Sequence, residues 1–270
     1  MDIPLISSSV QEEVKRRLAA VEQEHGVKIL FCCESGSRAW GFASPDSDYD
    51  VRFIYVRPQD WYLSFDVETR KDVIEYPIVD EIDCSGWDLR KALYLFTRTN
   101  GALLEWLNSP IRYMERGDLA ARLRSLAPQA INDVALCYHY SHMARNNARE
   151  HLGKAKVKMK KYFYVLRPLL AIRYIQAGRG IPPVEFEKLM DAVVPTEIKG
   201  DIEALLEQKR RTPEFGLGDR VEGIERFVTS EFESHNEQFK GQGRPDILEG
   251  KRVREALNEI FRNSVHSSWA

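Results

Sequence analysis

Hydrophobic positions change their spacing along this chain, and the changes divide it. Over residues 10–24 they recur with a helical stride and predict an amphipathic helix. Val27-Lys28-Ile29-Leu30-Phe31 and Val51-Arg52-Phe53-Ile54-Tyr55-Val56 are short apolar runs that read as buried strands. Residues 73–83 are β-rich and alternating, a further strand that ends at Ser85-Gly86. From there to residue 98 a helix is expected, because Leu89, Ala92, Leu93 and Phe96 return to helical spacing. The sheet region runs to about Tyr113, and beyond it helical patterns dominate: residues 119–126, 130–153, 156–177, 184–193, 196–208, 220–240 and 245–263. Breaker residues separate them at 178–183 and 211–218. Strands alternating with helices, then helices alone, predict an α/β domain with a mixed sheet flanked by helices at 1–114 and an all-α domain at 115–270.

Composition narrows the class. At 270 residues and 43% hydrophobic, the chain can bury a sizeable core. It has no run of 18 apolar residues. Met1-Asp2-Ile3-Pro4 lacks the basic start of a signal peptide, so a cytoplasmic protein with no membrane partner is expected. A net charge of −2 argues against a basic coat for gripping long duplex DNA. Cys32 and Cys33 are adjacent while Cys84 and Cys137 stand apart, which is no zinc spacing, and all four are read as reduced packing residues. His139, His142 and His151 share a helix, but no carboxylate or cysteine completes a ligand set, so structural roles are assigned. Trp61, Trp87 and Trp106 read as core, with Trp40 a candidate near the site described next.

Candidate chemistry concentrates between the first two strands. In Glu34-Ser35-Gly36-Ser37-Arg38, Gly36 permits a sharp turn and close approach of backbone to a ligand, and Ser37 offers a hydroxyl and an N–H to a phosphate oxygen. Arg38 lies beside this turn, either as a triphosphate contact or in a surface ion pair. Asp48-Tyr49-Asp50 follows at the start of the second strand, where residues i and i+2 face one way about 7 Å apart. Two carboxylates at one strand end repel each other unless a cation lies between them, and all-oxygen ligands favour Mg²⁺ or Mn²⁺. In the helix expected over 156–177, Met159, Phe163, Leu166 and Leu170 form a core stripe. Lys156, Lys160, Tyr164 and Arg167 share the adjacent one, with Lys161 the alternative to Lys160, and Pro168 is expected to kink the helix just after Arg167. That second stripe reads either as a solvated flank or as a phosphate-binding face.

Gly36-Ser37, ten residues, then Asp48-x-Asp50 resembles the signature of the DNA polymerase beta-like nucleotidyltransferase superfamily. The longer string from Glu34 to Phe42, with Ser44 to Asp50, Asp83 to Leu93 and Asn100 to Pro110, is similar to predicted nucleotidyltransferases related to RNA-repair-associated polymerase beta-like proteins. The resemblance is dense over residues 30–113 and thinner beyond. It implies metal-dependent transfer of NMP from an NTP, with ATP or CTP as the nucleotide. Such chemistry uses two Mg²⁺ or Mn²⁺ ions and a third carboxylate. Asp80, Glu81 and Asp83 compete for that role: alternation puts Glu81 and Asp83 on one face, and the resemblance matches Asp83. The resemblance also favours a nucleotide-binding role for Lys160, Lys161, Tyr164 and Arg167, because helical segments rich in such residues recur in the superfamily's second domain. Three functions follow: NMP transfer to an RNA end such as tRNA, NMP transfer to a protein or small molecule, or noncatalytic binding. Complete acids at 48, 50 and 83 argue against the last.

Overall fold

The structure, a computed structural model, describes residues 6–154, 156–211, 216–238 and 250–269. In chain order the first unit is built from α1 (Ser8–His25), β1 (Lys28–Glu34), α2 (Gly36–Trp40), β2 (Tyr49–Val56), α3 (Gln59–Tyr62), β3 (Val73–Glu75), β4 (Ile82–Asp88), α4 (Leu89–Thr97), α5 (Gly101–Leu107), β5 (Arg112–Glu115) and α6 (Leu119–Ala130). Helices then follow almost without interruption: α7 (Asp133–His151), α8 (Met159–Gln176), α9 (Phe186–Val193), α10 (Thr196–Arg211), α11 (Glu222–Gln238) and α12 (Lys251–Trp269). Two three-residue strands, β6 (Lys156–Lys158) and β7 (Leu217–Asp219), form a small antiparallel pair among them. Residues 1–4, 212–215, 239–240 and 245–249, parts of the N-terminal reading, of one breaker segment and of two expected helices, lie outside the described residues.

The sheet order is β3-β4-β2-β1-β5, mixed as expected: β2 and β4 run parallel and the other neighbours antiparallel. Both central strands are apolar because both faces are covered. Ile29, Cys32, Val51, Phe53 and Tyr55 join Val14, Leu18 and Val21 of α1 in one buried cluster. The strand predicted to stop at Ser85-Gly86 instead continues to Asp88, held by register with β2 as far as Tyr55↔Asp88. Gly86 fits inside it because a Cβ there would meet the Phe53 ring at 2.2 Å, so the bare backbone leaves room for that ring. Helix α4 therefore starts at Leu89 and not Gly86, and its Leu89, Ala92, Leu93 and Phe96 are buried as the spacing demanded.

Contacts divide the chain into two units that do not follow the boundary expected at 114/115. The first takes Met1–Ala39, Asp48–Ile131 and Ile247–Ala270, and the second takes Trp40–Ser47 and Asn132–Asp246. Helix α6 joins the first unit through buried Leu119, Ala120 and Leu123, and α12 packs there against α4, α6 and β2. Trp40–Ser47 joins the second because Phe42 is buried against Phe163 and Phe186. In α8 the stripe Met159, Phe163, Leu166 and Leu170 is buried, although the helix starts after β6 and not at Lys156. All four cysteines are buried free thiols.

Asp88 makes the start of α4 sensitive to pH. Its carboxylate accepts from the Arg90 N–H at 2.8 Å and from the Tyr62 hydroxyl at 2.9 Å. Burial nevertheless pushes its pKa up from 3.8 to about 6, so the folded state holds this proton where the unfolded chain has lost it. The group's stabilising contribution is complete below the unfolded value and is lost as pH rises through the folded one. Asp88→Asn keeps an acceptor for the cap and removes the titration. Chemical denaturation at pH 5 and pH 7.5 should show wild type losing about 1 kcal/mol more than the variant across that interval. Parallel losses would remove Asp88 as the source.

Candidate active site

The parallel pairing of β2 with β4 sets Asp50 opposite Asp83. Arg52, two residues along on the same face of β2, reaches back between them. Its Nη2 donates to Asp50 Oδ1 at 2.9 Å and to Asp83 Oδ2 at 2.6 Å, while Nη1 donates to the Asp83 carbonyl at 2.9 Å. Two half-buried carboxylates thus converge on one cation, which lowers their mutual repulsion.

A second support comes from β1. Glu34 is fully buried at the end of that strand. Its carboxylate accepts from the Asp50 backbone N–H at 2.8 Å and from the Tyr113 hydroxyl at 2.5 Å. The Asp50 carbonyl accepts from the Ser35 N–H at 2.8 Å, so the backbone on both sides of Asp50 is fixed to the turn that precedes Gly36. Burial pushes the Glu34 carboxyl up to about 7 and the Tyr113 phenol well above its ordinary range. Neither residue nor Arg52 was singled out by the sequence pattern.

Gly36 opens α2 in the left-handed region, φ 58°. A Cβ there would lie 2.0 Å from Asp50 Oδ2, so the absent side chain is what lets Asp50 approach the turn. Ser37 is buried. Arg38 Nε donates to the Asp48 carbonyl at 3.1 Å, and its guanidinium lies 3.8 Å over the Tyr49 ring. The Asp48 residue itself is exposed at the entrance to β2.

The three acids that competed for the third position are separated. Asp80 and Glu81 form the turn between β3 and β4 with positive φ of 51° and 62°. Asp80 is tied to Arg17 of α1 at 2.9 Å, and the Glu81 carbonyl accepts from the Tyr49 N–H at 2.7 Å. Only Asp83 of the three lies in β4 beside Asp50. Among the described residues no group of three or more His, Cys, Asp or Glu side chains is gathered to hold a metal ion. The donor chemistry of Asp48, Asp50 and Asp83 nonetheless suits a hard divalent cation, and Arg52 already supplies positive charge between two of them.

The second unit places the other predicted residues differently. Lys156 belongs to β6 and pairs with Asp219 at 2.7 Å. Lys160, Lys161 and Tyr164 are half-buried in the first turns of α8, with Lys161 Nζ 5.3 Å from the Tyr164 ring centre. Arg167 departs from the expected phosphate-binding stripe: it is 1% exposed, donates to the Val184 carbonyl at 3.2 Å and lies 4.7 Å over Trp40. The guanidinium is buried because this side of α8 is covered. Trp40 also meets Phe42 and Tyr164, so its ring is a packing element of that cluster.

The family model described as the RNA repair pathway DNA polymerase beta family matches residues 10–263. The chain is 46% identical over 261 residues to the uncharacterized protein YcgL of Bacillus subtilis (strain 168), covering 96% of this chain and 98% of that protein. Among solved structures it is similar to a nucleotidyltransferase-like protein from Exiguobacterium sibiricum 255-15, with 11% identity, a TM-score of 0.29, and coverage of 95% of this chain and 90% of that one.

Proposed function

Since this chain belongs to the RNA repair pathway DNA polymerase beta family, we propose that its first unit transfers a nucleoside monophosphate from ATP or CTP to the end of an RNA. The observation that carries the reading is the convergence of Asp50 and Asp83 on one cation beside the Gly36 turn. In the reaction the acceptor hydroxyl oxygen bonds to the α-phosphorus, the bond to the pyrophosphate oxygen breaks, and the hydroxyl proton leaves to a base. Asp83 is the base within this set, and Asp48, Asp50 and Asp83 would hold Mg²⁺ or Mn²⁺ through their carboxylate oxygens. Such ions, when bound, neutralise charge on the triphosphate and the attacking oxygen. Gly36 and Ser37 present backbone to the phosphates, and Arg38 stands next to them at Asp48. Glu34 and Tyr113 hold the Asp50 backbone in place throughout. Lys160, Lys161, Tyr164 and Arg167 are the second unit's candidates for phosphate contact.

The test is incubation with each α-labelled NTP and Mg²⁺ or Mn²⁺, with total RNA or total protein as acceptor. Label in the RNA fraction is the expected result. Label confined to protein would move the acceptor to that class, and no label in either, with no labelled small-molecule product, would sink the transferase reading.

Within that assay, Asp83→Ala should lower the rate at least about 100-fold while NTP binding persists, because it removes the base and a metal ligand together. Asp80→Ala and Glu81→Ala should cost less than about threefold, since one loses a surface ion pair and the other only an exposed turn side chain. A severe loss at Glu81 with near-normal Asp83→Ala turnover would reverse the assignment.

A further inference from the structure

Two cavities of about 340 and 430 Å³ open on the first unit, and they share Arg90 and Tyr94 of α4 as a common wall. The first is also lined by Trp61, Lys71 and Asp88, the second by Arg254 and Phe261 of α12. Tyr94 is 56% exposed, so its ring stands in water between the two openings. Next to the first cavity, the segment joining Tyr62 to Val67 carries Leu63, largely exposed, and Phe65, fully exposed. Large apolar rings left in water around basic residues call for a partner that is aromatic and anionic together.

The charges agree. Arg90 is matched by Glu68, Lys91 by Asp72 and Arg70 by Asp66. Lys71 in the first cavity and Arg254 in the second have no acidic partner among the described residues, and both are exposed. Beneath the first cavity, Arg57 is buried with its Nε lacking a hydrogen-bond partner, and its guanidinium lies 3.8 Å over Trp61, whose ring also meets Arg70 at 4.5 Å. A cation thus backs the cavity wall while two more stand at the ends of the groove.

We propose that this groove binds a single-stranded polynucleotide, with Tyr94 stacking on a base and Lys71 and Arg254 contacting phosphates on either side. The chemistry is that of strand binding without base readout: an aromatic platform with a cation at either end, in a first cavity whose remaining lining pairs Arg70, Arg90 and Lys91 with nearby carboxylates and also carries Asp88. A duplex fits poorly, because its bases are not free to stack on Tyr94. The groove lies at the Asp88 end of β4, five residues or about 17 Å along the strand from Asp83. The inference deepens the transferase reading, and rests on it, only in naming the bound strand as the acceptor.

The experiment uses the full chain and a fluorescein-labelled 12-nucleotide RNA of mixed sequence, the DNA of the same sequence, and the RNA duplex, read by anisotropy at two salt concentrations. Wild type should bind both single strands more tightly than the duplex. Tyr94→Ala should weaken strand binding about tenfold. Lys71→Ala with Arg254→Ala should weaken it and flatten its salt dependence by about two charges. These exposed side chains can be removed without disturbing the core, and an unchanged melting temperature verifies that. A preference for RNA over DNA identifies the strand's source as RNA, equal binding a shared polynucleotide chemistry. Variants that bind like wild type, a preference for duplex, or no binding to any probe would each overturn the groove. Strand binding that survives while transfer is absent from every fraction defeats the transferase reading alone.

Discussion

Asp50→Asn is expected to abolish NMP transfer while the protein stays folded. Asparagine keeps the volume of Asp50 and an oxygen for Arg52, and the backbone bonds to Glu34 and Ser35 do not depend on the side chain. What disappears is an anionic ligand at the point where charge must be neutralised during displacement. Asp48→Asn should behave alike, although its residue is exposed and its carbonyl receives Arg38. Each should fall at least about 100-fold, about 2.7 kcal/mol of transition-state stabilisation. Turnover above about a tenth of wild type, a loss under about 1.4 kcal/mol, would remove the residue from the reacting centre. Unchanged melting temperatures complete the check.

Gly36→Ala should be nearly as damaging without touching a charged group. The added methyl would sit 2.0 Å from Asp50 Oδ2 and 2.8 Å from its Cγ, closer than atoms can approach. A free carboxylate would swing away at small cost. Asp50 is held by Arg52 on one side and by its backbone bonds on the other, so relief means breaking the shared Arg52 contact or moving the turn. A reacting group displaced by about 1 Å loses about 100-fold in rate. The positive φ adds a cost of about 1 kcal/mol for any residue with a Cβ. Transfer rate and thermal stability measured together separate these effects, and a variant within about threefold of wild-type rate would show that Asp50 tolerates the displacement.

These two residues were legible in the sequence because a glycine-serine turn and an alternating acid pair are local patterns between apolar runs. The mixed sheet followed by helices was legible for the same reason. The pairing of Asp83 with Asp50 needed more: alternation left Glu81 on its face, and only the register of β4 against β2 sets Asp83 opposite Asp50. Glu34, Arg52 and Tyr113 escaped because their roles depend on which strands become neighbours. Tyr113 reaches Glu34 across 79 positions through the β1–β5 pairing, and no spacing rule spans that. The late end of β4 escaped because Gly86 reads as a breaker until Phe53 is seen lying against it. The burial of Arg167 was not legible, because helical spacing says which residues share a face and not which element covers that face.

The four cysteines turn each unit into its own reporter. Cys32, Cys33 and Cys84 belong to the first unit and Cys137 to the second. Burial raises all four thiols, Cys84 to about 11 and Cys137 to about 12, so in the closed state they present almost no thiolate to an alkylating reagent. Modification then waits for local opening, and its rate measures how often each unit opens. Mass spectrometry of partly alkylated protein would time the sheet and the helical unit separately, with no introduced probe. Substrate that tightens the first unit alone would slow three sites and leave the fourth as an internal clock.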